Sequence, residues 1–198
     1  MRKLCDGHLR SSIDYTTTAS KKDGKVILHT VMQYKIYKVN DSYQKIRHIF
    51  TRPDSKLISL SFTDSNKKTH KVAEDLLKIE KTEQNQNEEE VAYINVCEIP
   101  AHLKGEKSLI VKSTVEEYGY DHWALLTWMS IYPTNGISYK IICKDNLIIK
   151  EKMIFDDQRG LYSTRAERND KNQITEYSIN CDEWTDPYTG FSLVISEP

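Results

Sequence analysis

The sequence predicts an all-β protein with at most one short helix, an antiparallel β-sandwich or partly closed barrel of about ten to twelve strands. Three observations carry that expectation. Short runs rich in β-branched and aromatic residues recur along the chain, separated by turn residues such as Asp23-Gly24, Pro53-Asp54 and Asn135-Gly136. The block from Asp121 to Phe155 holds three apolar runs almost back to back. Nowhere do strands alternate with long helical patterns, as parallel βαβ units require.

The first element is a hairpin. Ser12–Ser20 leads to a turn at Lys21-Lys22-Asp23-Gly24, and Lys25–Val39 returns. Asp-Gly tolerates the positive φ of a tight turn, so between two β-rich runs it is a strong hairpin signal. The return strand is long and two-faced, a property of strands that bend at a bulge or cross two sheets. Lys45–Thr51 and Lys56–Thr63 follow, divided by Arg52-Pro53-Asp54-Ser55, where proline ends one strand and opens a turn. Lys67–Val72 fits another hairpin strand. The favoured expectation is instead a short helix within Lys71–Thr82, because Val72, Leu76 and Ile79 share a stripe and Glu, Leu and Lys dominate.

Lys81–Glu90 contains only Glu, Gln, Asn, Lys and Thr and reads as a solvated connection. The chain is therefore expected as one β-rich unit over 1–198. The second arrangement is two lobes, 1–80 and 91–198, with 81–90 as linker.

Val91–Glu98 and Lys107–Tyr118 are the next strands, flanking a turn at Pro100–Gly105. In Trp123–Ile131 both alternating faces are apolar: Trp123, Leu125, Met129 and Ile131 on one, Ala124, Leu126 and Trp128 on the other. A strand of that kind is expected at the centre of a layered sheet, covered on both sides. Ile137–Cys143 and Leu147–Phe155 complete the block. Asp156–Lys171 is charged and reads as a long loop. Gln173–Asp182 and Phe191–Ser196 close the chain around a loop at Trp184–Gly190.

Composition narrows the function classes. With 28 basic and 29 acidic residues the net charge is −1, which lacks the basic excess of a nucleic-acid clamp. No apolar run reaches the ~18 residues of a membrane span, and the N-terminus has no apolar segment of a secretory signal. With Met1 as the start, a soluble cytoplasmic protein is expected. Cys5, Cys97, Cys143 and Cys181 stand far apart, without zinc spacing, and read as reduced, buried thiols. A Cys143–Cys181 bridge is the rival reading. No metal and no cofactor is expected.

No phosphate loop, dinucleotide fingerprint, GxSxG elbow or HExxH motif is present, so no catalytic residues are assigned. The first expectation is a non-catalytic module that recognises a protein partner through end loops or edge strands. Its anchors are Tyr118 and Tyr120, which flank Gly119 in a turn, and Trp184 and Tyr188 in the last loop. Edges such as Lys25–Val39 or Phe191–Ser196 would also suit a homodimer. The alternative is a β-barrel sensor of a nucleotide or metabolite, with His29 and Gln33 as lining groups beside Arg47 and Trp128. A second alternative is a hydrolase pairing His122 with Asp182, Glu183 or Asp186.

Overall fold

The computed structural model describes residues 8–38, 45–50, 52–78, 80–81, 93–130, 133–155 and 160–198. Among them the chain forms β1 (His8–Lys22), β2 (Lys25–Lys38), β3 (Lys45–Phe50), β4 (Lys56–Thr63), β5 (Thr69–Lys71), β6 (Glu80–Lys81) and β7 (Tyr93–Glu98). β8 (Ser108–Tyr118), β9 (Trp123–Met129), β10 (Thr134–Cys143), β11 (Ile148–Phe155), β12 (Ser163–Arg168), β13 (Ile174–Thr185) and β14 (Gly190–Ser196) follow. Two short 3₁₀ turns, Glu74–Leu77 and Ala101–Leu103, are the helical elements. The all-β expectation holds.

Eleven strands form one sheet in the order β5-β4-β8-β2-β1-β10-β13-β11-β14-β9, with β12 also paired to β13. It is not closed into a barrel. It is also mixed, because β1 and β10 run parallel while the other described pairs are antiparallel. β13 pairs with β10 and β12 along much of its length but with β11 only at Ile149–Ile174. The sheet turns a corner there, and β11-β14-β9 fold back over the inner face of the larger layer. Phe191 on β14 marks the contact: its ring lies 4.8 Å edge-on from Tyr139 on β10 and 5.9 Å from Trp128 on β9. Two layers closing on one apolar interior make this a sandwich.

The alternation of the long strands aims one face inward. Ile13, Tyr15, Thr17 and Ala19 of β1 share that face with Val26, Leu28, Thr30, Tyr34 and Ile36 of β2 and with Ile137, Tyr139 and Ile141 of β10, all buried. The register slips between Ser11 and Asp14 in β1 and between Asn135 and Ile137 in β10. Ser12 (φ 52) and Gly136 (φ 73) lie side by side in these bulges, so two adjacent strands bend at one level. β3-β7-β6 form a small separate sheet. Ile46, Phe50 and Cys97 join it to the same core, and His48 Nε2 lies 3.2 Å from Ser113 Oγ on β8.

Four expectations are corrected. The helix within Lys71–Thr82 is replaced by β5, an extended link and the turn Glu74–Leu77; Asn95 on β7 donates to the carbonyls of Leu76 (3.2 Å) and Lys78 (2.8 Å), which a continuing helix would need for its own ladder. β9 is the end strand of the sheet and is covered on one face only. Asp156–Lys171 contains strand β12. Trp184 lies within β13, not in a loop. Most of the 81–90 connection lies outside the described residues, while strands from before and after it share the large sheet.

Candidate functional site

β9 collects the features that distinguish this surface. It is entered through Gly119, which folds back so tightly that a Cβ there would lie 2.6 Å from the Ala124 Cβ and 2.8 Å from the Trp123 carbonyl. The Tyr120 amide then donates to Trp123 O (2.7 Å) and the Val26 amide to Tyr120 O (3.1 Å). This turn stacks Tyr120 on Trp123, centroids 4.5 Å apart and 15° from parallel, with the Arg52 guanidinium 4.9 Å from the Tyr120 ring. The three-high stack is exposed at one end of the sandwich.

Along β9 the residues alternate. Ala124 and Leu126 are buried, and half-buried Trp128 packs with them against the core. Trp123, Leu125 and Met129 point outward at 39%, 55% and 43% exposure, with Thr127 between them bonded to Ser192 (2.9 Å); on β11 the exposed Met153 lies across from Ser192 and Glu151 across from Val194. Among the described residues β9 pairs only with β14, so its other edge offers unpaired backbone. End strands are normally blunted with charge. β5 carries Lys71, β12 carries Arg165, Glu167 and Arg168, β3 carries Lys45 and Arg47, and β6 is Glu80-Lys81. β9, Trp-Ala-Leu-Leu-Thr-Trp-Met, carries none.

The four aromatic anchors do not meet. Tyr118 and Tyr120 sit at the Trp123 end of β9, where the half-buried Tyr118 hydroxyl donates to Glu116 (3.0 Å). Trp184 and Tyr188, 48% and 61% exposed, belong to the Met129 end. There Tyr188 (φ 71) turns the chain and donates its amide to Ser130 O, while the Ser130 amide returns to Thr189 O (2.9 Å). β14 pairs Gly190 with Met129 and Ser196 with Trp123, so the two clusters lie a strand length apart, ~20 Å.

His29 and Gln33 are exposed on the outer face of β2, in register with Glu116 and Lys112 of β8. They line no interior: Arg47 is exposed on β3, and Trp128 packs on the inner side of β9. His122 is equally far from the carboxylate of the other end, since the Glu197 amide donates to His122 O (3.2 Å) while Asp186 lies in the turn before Tyr188. Its Nδ1 lies 3.8 Å from Glu197 Oε1. Lys21 also pairs with Glu197 and, together with His122, holds that carboxyl below its ordinary range.

Beside this pair a cleft of about 650 Å³ opens where several turns converge. Lys21, Lys144 and Lys171 line it with Asp145, Asp170 and Glu197, and Asp145 Oδ2 accepts the Lys21 amide at 2.9 Å. Cys97 and Cys143 are free thiols, Cys181 is buried with its Sγ 3.6 Å from Glu183 O, and burial pushes the Cys143 thiol up to about 12. Among the described residues no group of three or more metal-ligating side chains converges, and no helix is long and apolar enough to cross a membrane.

No family model matches the chain, and no curated protein matches it in sequence. Among solved structures it is similar to a candidate protease from Parabacteroides distasonis, with a TM-score of 0.61 at 10% identity over 96% of this chain. That likeness spans 40% of the other chain, so this chain accounts for well under half of that protein's length. What is shared at such identity is the fold, an all-β sandwich.

Proposed function

We propose that this protein is a non-catalytic interaction module that recognises a protein partner by strand addition along β9. The observation that supports it is the combination found at β9 alone among the described end strands: an unpaired edge, no charge, and an outward row of Trp123, Leu125 and Met129. Main-chain hydrogen bonds along the edge would supply affinity, and the apolar row with the Arg52–Tyr120–Trp123 stack would supply selectivity. A second copy of the chain is one such partner, since an antiparallel β9–β9 pairing centred on Leu126 sets Trp123 against Met129 and Ala124 against Trp128.

Native mass spectrometry of gently purified protein tests this reading. The expected result is a retained protein-sized mass in the wild type that is absent from Leu125→Lys. A bare 23.1 kDa chain across all concentrations, for both proteins, would contradict it. The cleft of about 650 Å³ favours a second reading, small-ligand sensing, and an added mass of a few hundred daltons that persists in Leu125→Lys would support that instead.

A further inference from the structure

We infer that His70 and His102 form a binding site for a borderline divalent metal ion of the zinc type. His70 stands on β5 and His102 in the 3₁₀ turn Ala101–Leu103, 32 positions later in the chain. His70 Nδ1 and His102 Nε2 lie 3.1 Å apart, their ring centroids 4.7 Å apart and the planes inclined at 56°. Two imidazole nitrogens bound to one ion at ~2.0–2.1 Å, at angles between octahedral and tetrahedral, are separated by about 2.8–3.4 Å. The observed spacing falls in that interval.

The far side of His70 is held as well. Its Nε2 lies 2.9 Å from Asp64 Oδ2. Asp64 is itself fixed, because its Oδ1 accepts the amides of Asn66 and Lys68, both at 2.9 Å. With Asp64 accepting from Nε2–H, His70 Nδ1 carries its lone pair on the side of His102, where without an ion it accepts a hydrogen bond from Nε2–H of that ring. This carboxylate–histidine arrangement is the one that orients imidazole ligands in metal sites. His70 and Asp64 are largely covered, with side chains 15% and 9% exposed, while His102 is exposed and free to choose the tautomer that presents its Nε2 lone pair. The neutral imidazoles supply both nitrogen donors, and water or a partner's ligand group fills the remaining positions. The ion ties the end strand β5 to the turn that precedes β8.

The test is a Zn²⁺ titration of the full chain followed by long-range ¹H–¹⁵N correlation of the histidine rings. The expected result is a joint shift of His70 Nδ1 and His102 Nε2, saturating at one ion per chain. His102→Ala abolishes it, and Asp64→Asn, which removes a positioning residue and leaves both ligands, weakens it ~10-fold or more. The proposal is overturned if zinc leaves those two nitrogens unshifted, or if His102→Ala binds as tightly as the wild type.

Discussion

The hydroxyl of Tyr139 on β10 lies 2.9 Å from the hydroxyl of Thr17 on β1, inside the core and across the sheet's parallel strand pair. Thr17 Oγ1 is in turn 2.8 Å from Thr30 Oγ1 on β2, so three strands share one buried chain of hydroxyls. Burial drives the Tyr139 phenol well above its ordinary range and keeps it protonated. Thr17→Val preserves shape but leaves two buried hydroxyls with a partner fewer. The expected loss is ~1–3 kcal/mol, read as a lower urea midpoint at unchanged slope.

Gly190 tests how β9 is held. A Cβ at this position would lie 2.1 Å from Trp128 O and 2.9 Å from the Met129 Cα, both backbone atoms of β9. Backbone in a sheet cannot yield as a flexible side chain does. Gly190→Ala is expected to cost ~2–3 kcal/mol and to speed amide exchange over Trp123–Met129 first. Equal protection of β9 in the variant and the wild type would contradict the packing described.

Two groups facing the interior give opposing dependences on pH. Burial pushes the Glu117 carboxyl from 4.5 up to about 7, so the folded state holds its proton longer and stability falls as pH rises through that window. Burial, with Arg10 nearby, pulls His48 from 6.5 down to about 4, so the unfolded state takes the proton first and stability falls as pH drops through that window. Between 4.5 and 6.5 the two slopes oppose each other. The wild type should be nearly flat there. Glu117→Gln should unmask a stability that rises with pH by about 1–2 kcal/mol across the same range. A variant curve parallel to the wild type would rule out the carboxyl's role.

Leu125→Lys separates stability from recognition. Leu125 is 55% exposed, so the change should move unfolding stability by no more than about 0.5 kcal/mol. It places a charge in the middle of an otherwise uncharged edge, and a partner strand should be lost with it.

The strands were legible where period-two alternation was strong. The β1–β2 hairpin is legible from its Asp23-Gly24 turn, and period-two alternation sets Leu28, Thr30 and Tyr34 on one face of β2. What escaped was decided by partners distant in sequence. β12 is an edge strand with little buried surface, so Arg165, Glu167 and Arg168 read as loop. The Glu74–Leu77 segment has helical composition, but Asn95 captures its carbonyls. Apolar residues on both faces of Trp123–Met129 were visible, and they imply an interior position only when a second layer exists to cover them. Here the outer face has no cover among the described residues. The aromatic anchors fall into two clusters because strand length, which sets Tyr120 and Tyr188 at opposite ends of β9, has no short-range signature.

The most direct test of the β9 account is site-specific photocrosslinking in the native cell, with the reactive group placed in turn at positions 29, 125 and 188. The account predicts one discrete protein adduct from position 125, reproduced with the purified partner or with a second copy of the chain, and no such adduct from positions 29 or 188. A discrete adduct from 29 or 188 with none from 125 would contradict it.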